Sequence, residues 1–230
     1  MLTTTPCSHR ITIITGHYGT GKTEFAVNLA IAMARDGAGM VTLADLDIVN
    51  PYFRSRERKR ELEEYGIQVI TTSKACSDAD VPSIPAEINS IFENSETRAV
   101  LDIGGDPAGA RVLARFYPQL SGCDCQLVYV VNANRPEVNT AAKALKNLKG
   151  IEDITHLKCT ALVNNTHLCG ETCAETVKKG IALSKELSGL CGAKLICSTA
   201  VADIAESFME SEDVFFPIVI KMRKPWELPS

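Results

Sequence analysis

The segment Gly16-His17-Tyr18-Gly19-Thr20-Gly21-Lys22-Thr23 sets a lysine and a threonine directly after a glycine-rich turn. It follows an apolar, strand-like run at 10–15 and opens a helical pattern, the setting in which such a loop wraps a phosphate. Glycine carries no Cβ, so the backbone N–H groups of residues 19–23 can curl around a β-phosphate while the helix behind them presents its positive end. On this reading Gly16, Gly19, Thr20, Gly21, Lys22, Thr23 and Glu24 bind nucleotide. Lys22 reaches the β/γ oxygens and takes part in catalysis, and the Thr23 hydroxyl ligates Mg²⁺. The implied ligand is a nucleoside triphosphate.

Two acidic segments can complete that chemistry. Asp45 and Asp47 sit at the end of the second strand-like run, where one carboxylate can approach the metal and the other can orient a hydrolytic water. Asp45 is assigned to the metal and Asp47 to the water. The run 99–107 is an apolar strand ending in Asp102, which is expected in the Mg²⁺ shell. Gly104 and Gly105 follow it, and Gly105 can bring a backbone N–H to the γ-phosphate, making this loop a candidate switch. Asp106 is expected to cap the helix that Pro107 opens.

The base can be argued from residues 162–167, Leu-Val-Asn-Asn-Thr-His. Guanine is read by a carboxylate that accepts both N1–H and the exocyclic amine, usually within Asn-Lys-x-Asp, and no such aspartate follows here. An asparagine can donate to adenine N1 and accept from N6–H, so Asn165 favours ATP, with Asn164 as alternate or support.

The elements that must position these residues alternate between short β-rich runs and helical patterns, which predicts a parallel sheet wrapped by helices. Strands are expected at 11–15, 40–44, 68–71, 99–102, 127–132, 160–164 and 194–197, with an edge strand at 215–221. Helices are expected at 22–35, 55–65, 86–94, 110–117, 137–148, 171–187 and 201–208. Several strands are apolar on both faces, the mark of a sheet covered on each side.

No linker, repeat or low-complexity tract divides the 230 residues, so a single nucleotide-binding domain over 1–230 is expected. The net charge of −4 offers no concentrated excess of Lys and Arg for a nucleic-acid backbone. The basic run RSRERKR at 54–60 passes into Glu61, Glu63 and Glu64 and reads as a solvated helix with internal ion pairs. No apolar run approaches bilayer length and no signal peptide is visible, so a cytoplasmic location without membrane association is expected. The nine cysteines then read as reduced thiols, mostly buried.

With these pieces in order the chain resembles the MinD/ParA-type branch of P-loop ATPases, in the SIMIBI class. The resemblance runs through Gly16 to Thr23, Asp45 to Pro51, Asp102 to Gly105, Asn165 and the segment 198–205. It implies a three-layer α/β P-loop NTPase fold with a mainly parallel seven- or eight-stranded sheet. It also implies slow, Mg²⁺-dependent ATP hydrolysis that resets a switch acting on a protein partner, ATP/ADP exchange, and a homodimer formed over ATP. Many members carry a lysine directly after the first glycine, where this sequence has His17; Arg54 or Arg56 could instead supply an arginine finger. Mrp-type carriers hold an iron–sulfur cluster through paired cysteines after the adenine-side asparagine. Cys169 and Cys173 are spaced more widely than that pair, and no cluster is expected. Two alternatives stay open: an ATP-dependent small-molecule ligase or kinase resembling dethiobiotin synthetase, and a nucleotide-driven metallochaperone or iron–sulfur carrier.

Overall fold

The computed structural model describes residues 2, 5–37, 39–47, 58–71 and 86–222. The strands are β1 (Ile11–Thr15), β2 (Val41–Asp45), β3 (Ile67–Thr71), β4 (Arg98–Asp102), β5 (Cys125–Val131), β6 (Cys159–Asn164), β7 (Lys194–Ala200) and β8 (Phe215–Pro217). Among the described residues they form one eight-stranded sheet in the order β3-β2-β4-β1-β5-β6-β7-β8, and every neighbouring pair is parallel. The helices are α1 (Lys22–Arg35), α2 (Lys59–Glu64), α3 (Asn89–Glu93), α4 (Pro107–Ala114), α5 (Tyr117–Leu120), α6 (Ala141–Thr155), α7 (Ala174–Cys191) and α8 (Ala202–Glu206).

Helices on both faces explain why β1 and β2 are buried along their whole length. One face packs Ile14, Val100, Val128 and Val163 against Phe25, Leu29 and Met33 of α1. The other packs Ile11, Ile13, Leu101 and Tyr129 against Leu113 of α4, Leu148 of α6 and Leu187 of α7. A side chain such as Phe25, fully buried, contributes about 1.5–3 kcal/mol over leaving it in water. The site depends on this layer, because α1 holds the phosphate loop against β1.

Several boundaries differ from those expected. The fourth helix starts at Pro107, ahead of the expected bound at 110 but in agreement with the expected Asp106 cap, which accepts a hydrogen bond from Gly109 N at 2.7 Å. The helix expected over 137–148 instead spans Ala141–Thr155, because Thr140 provides the cap by accepting from Lys143 N at 3.4 Å. β7 runs to Ala200, beyond the expected 197, because β8 pairs along its last residues. β8 itself is confined to Phe215–Pro217. The start of the helix expected at 55–65, with Arg54 and Arg56, lies outside the described residues.

β1 lies between β4 and β5, so the chain passes to one side of β1 for β2, β3 and β4 and to the other from β5 onward. In open α/β sheets a reversal of this kind leaves a crevice at the carboxyl ends of the strands. The phosphate loop, Asp45, Asp102 and the loop after β5 all converge there. Among the described residues no helix is long and apolar enough to cross a membrane.

Candidate nucleotide site

The loop from Gly16 to Gly21 has the backbone expected of a phosphate cradle. Gly19 and Gly21 take φ of 74° and 82°, in the left-handed region where a Cβ is strained. Thr20 closes the turn by donating from N and Oγ1 to the His17 carbonyl, at 3.2 and 2.8 Å. Lys22 is 6 % exposed at the start of α1, so its cation is held inside the crevice.

Thr23 Oγ1 donates to Asp102 Oδ2 at 2.6 Å, which ties the first turn of α1 to the end of β4. Asp102 and Asp45 are register partners on adjacent strands, and both are buried. Burial first, and the Asp45 carboxylate second, push Asp102 up to about 8 from an ordinary 3.8, against the opposing pull of Lys22 and Thr23. Asp102 Oδ1 is buried with no hydrogen-bond partner. Two inward carboxylates, one with an orphaned oxygen, beside a threonine hydroxyl form an all-oxygen donor set that suits a hard divalent cation. Thr23, Asp45 and Asp102 are thus the residues that could hold Mg²⁺.

Asp47 is buried beside them, its backbone N–H donating to Asp45 Oδ1 at 3.3 Å. A Cβ on Gly104 would lie 3.1 Å from Asp47 Oδ1, so the loop after β4 closes on that carboxylate. Gly105 is tighter still. A Cβ there would fall 1.7 Å from the Gly16 carbonyl oxygen, and only glycine lets the two loops pack in this way.

Three of the residues expected at the nucleotide also tie the scaffold together. Asn165 Nδ2 donates to the Thr20 carbonyl at 2.8 Å, and its Oδ1 accepts from Thr199 Oγ1 at 2.5 Å. Its short side chain fastens the phosphate loop to β7. Asn164 is fully buried, donating to Val177 O and Ser198 Oγ and accepting from Thr166 N, so it pins β6 to α7 and β7. Glu24 points away from the loop and accepts from Lys221 N at 2.7 Å and Met222 N at 3.1 Å. With Asn28, which exchanges hydrogen bonds with the Val219 backbone, it anchors the C-terminal segment along α1. Burial raises the Glu24 pKa despite those two N–H donors.

Arg135 escaped the sequence reading. It follows β5, and its Nε donates to the Gly19 carbonyl at 2.6 Å, laying the guanidinium against the outside of the phosphate loop. Burial first, and then this cation, hold His167 below its usual pKa. The available signal was position: Arg135 stands just past a strand's carboxyl end, where this class of sheet places its ligand-side residues. The His17 ring lies against its own loop, with Nδ1 3.2 Å from the Tyr18 carbonyl. Cys169 and Cys173 are exposed, Cys169 at a φ of 53° and 3.9 Å from His167 Nδ1. Among the described residues no group of three or more His, Cys, Asp or Glu is placed to hold a metal ion.

No family model matches the sequence, and no curated protein does. Solved structures do. The nucleotide-binding protein of Archaeoglobus fulgidus, solved in complex with ADP, superposes with a TM-score of 0.52 at 17% identity, covering 86% of this chain and 85% of its own. The cell division protein FtsY of Thermotoga maritima gives 0.51 at 22% identity over 85% of this chain and 63% of its own length. The 54 kDa signal recognition particle protein of Aeropyrum pernix, in complex with GDP, gives 0.49 at 20% identity, and this chain spans 42% of it. The architecture, an α/β parallel sheet between helical layers, is therefore that of the P-loop nucleotide-binding proteins.

Proposed function

We propose that this protein binds a Mg²⁺-complexed nucleoside triphosphate in the loop Gly16–Thr23 and hydrolyses it slowly. The observation that carries the reading is the convergence of a left-handed glycine cradle, buried Lys22, and Thr23 hydrogen-bonded to the buried carboxylate of Asp102. Backbone N–H groups of the cradle and the Lys22 ammonium neutralise the β- and γ-phosphates. Mg²⁺, when bound, would supply further charge neutralisation, and Thr23, Asp45 and Asp102 are its proposed holders. Asp47 accepts a hydrogen bond from the attacking water and orients it, while Gly105 brings its N–H toward the γ-phosphate.

ATP is the favoured nucleotide. Asn165 is followed by Thr166, His167 and Leu168, so the position from which a carboxylate would read guanine is apolar. The fold relative from Archaeoglobus fulgidus was solved with ADP. The tight packing of Gly105 on Gly16 supports a switch, since a loop that touches the phosphate loop this closely must respond to what the phosphate loop holds. On this reading the chain is a MinD/ParA-like cytoplasmic ATPase, a homodimer whose nucleotide state is read by a protein partner. The test is phosphate release under single turnover: Asp47→Asn should slow it about a hundredfold with nucleotide affinity retained. Unchanged release would remove Asp47 from catalysis.

A second reading, an ATP-dependent ligase or kinase, is favoured by one observation: a cavity of about 440 Å³ opens beside the phosphate loop, with His17 and Gly105 in its wall.

A further inference from the structure

That cavity has a graded lining. His17, Gly105, Asp106 and Pro107 form one wall, and α6 supplies Lys143, Lys146, Asn147, Gly150, Ile151 and Ile154 along the other. Because β5 runs parallel to β1, α6 starts at the sheet edge that carries the phosphate loop and runs back from it. Lys143 and Lys146 therefore lie toward the phosphate loop, and Gly150, Ile151 and Ile154 lie toward the far end.

The polar end is rich in donors. Lys143 Nζ spends two of its three protons on Pro136 O and Asn139 Oδ1, at 2.8 and 3.1 Å, and keeps one. Lys146 is exposed and makes no hydrogen bond or ion pair among the described residues. Asn147 Oδ1 accepts from Tyr129 OH at 2.8 Å, which leaves its amide –NH₂ as a donor. Of the two carboxylates, Asp106 is engaged in capping α4 and Glu137 stands on the exposed rim. The far end is hydrocarbon.

We infer that this cavity is a second ligand site, for a small amphipathic anion. Its acidic group meets Lys143, Lys146 and the Asn147 amide, and its short aliphatic body lies over Gly150, Ile151 and Ile154. The volume lies within the ordinary range for small-molecule sites, about 300–1,000 Å³. The inference rests on the nucleotide reading only in making this ligand the neighbour of a triphosphate, through the wall residue Gly105.

The test uses the full chain without nucleotide and the fluorescent anion 8-anilinonaphthalene-1-sulfonate, displaced by octanoate. A Cβ at Gly150 meets no atom within 4 Å, so Gly150→Leu should obstruct the hydrocarbon end of the cavity while leaving the fold intact. Saturable fluorescence is expected in the wild type, reversed by octanoate, reduced about tenfold by Gly150→Leu and weakened severalfold by Lys146→Gln. Ile154→Ser is the companion variant should Gly150→Leu fold poorly, and it should weaken the probe as well. Affinity for a fluorescent ADP analogue, measured on each variant, separates the two sites. Probe binding that is equal in wild type and all variants overturns the inference, as does an absence of saturable binding. Loss of ADP binding in the wild type would sink the nucleotide reading and leave the cavity result standing.

Discussion

Asn165 is fastened to Thr20: its amide nitrogen donates to the Thr20 carbonyl at 2.8 Å, across 145 residues of sequence. The same amide accepts from Thr199, so β7, the loop after β6 and the phosphate loop share one buried junction. Asn165→Ala leaves the Thr20 carbonyl without its donor, and a buried unsatisfied group costs about 1–3 kcal/mol. The variant should melt lower and bind ATP and GTP more weakly by a similar factor. Thermal unfolding and paired nucleotide titrations check this; a changed ATP-to-GTP ratio with unchanged stability would return Asn165 to the base.

Glu24 and Asn28 make a different prediction, because they hold the segment 219–222 along α1. Glu24→Ala frees two backbone N–H groups and should destabilise the chain by about 1–3 kcal/mol. Nucleotide affinity should stay within about twofold. Limited proteolysis near the C-terminus, faster in the variant, reads the first effect directly.

Asp102 sets a pH dependence. Its native pKa lies near 8 against 3.8 in the unfolded chain, so between those values the native state binds the proton more tightly. Its contribution to stability is therefore present below the unfolded value and is lost as pH rises through the native one. Without metal or nucleotide the melting temperature should fall from pH 5 to pH 8, and Asp102→Asn should flatten that slope. A slope of the same size in the variant would assign the dependence to other groups.

Gly105 tests the contact between the two loops. Gly105→Ala places a methyl group 1.7 Å from the Gly16 carbonyl oxygen, so one loop must move. Nucleotide affinity should fall about tenfold or more, with the far-ultraviolet circular dichroism unchanged. Wild-type affinity in this variant would contradict the proposed switch.

The part of this molecule that was legible in sequence is the part fixed by local chemistry. β1 and α1 fall where the apolar run and the glycine–lysine–threonine punctuation put them, because that loop needs few partners to define it. The α/β class followed from short β-rich runs alternating with helical patterns, and the helical cover on each side from strands that are apolar on both faces. What sequence could not supply was direction over long separations. Glu24 follows Thr23 in the chain, yet its carboxylate meets residues 221 and 222, whose return along α1 no local pattern records. Asn164 and Asn165 sit at a strand end that normally faces ligand, but neighbouring strands and the phosphate loop claim their amides. Arg135 was missed because a lone arginine before a proline carries no motif until the sheet brings it to Gly19.

The central claim is that this loop grips a Mg²⁺-complexed triphosphate through Lys22, and calorimetric titration of ATP with Mg²⁺ into wild type and Lys22→Ala tests it most directly. The expected result is saturable binding to the wild type and a loss of about ten- to a hundredfold in the variant, as removing charge-assisted hydrogen bonds implies. Folded wild-type protein that takes up no ATP, or a Lys22→Ala variant that binds it equally well, would contradict the account.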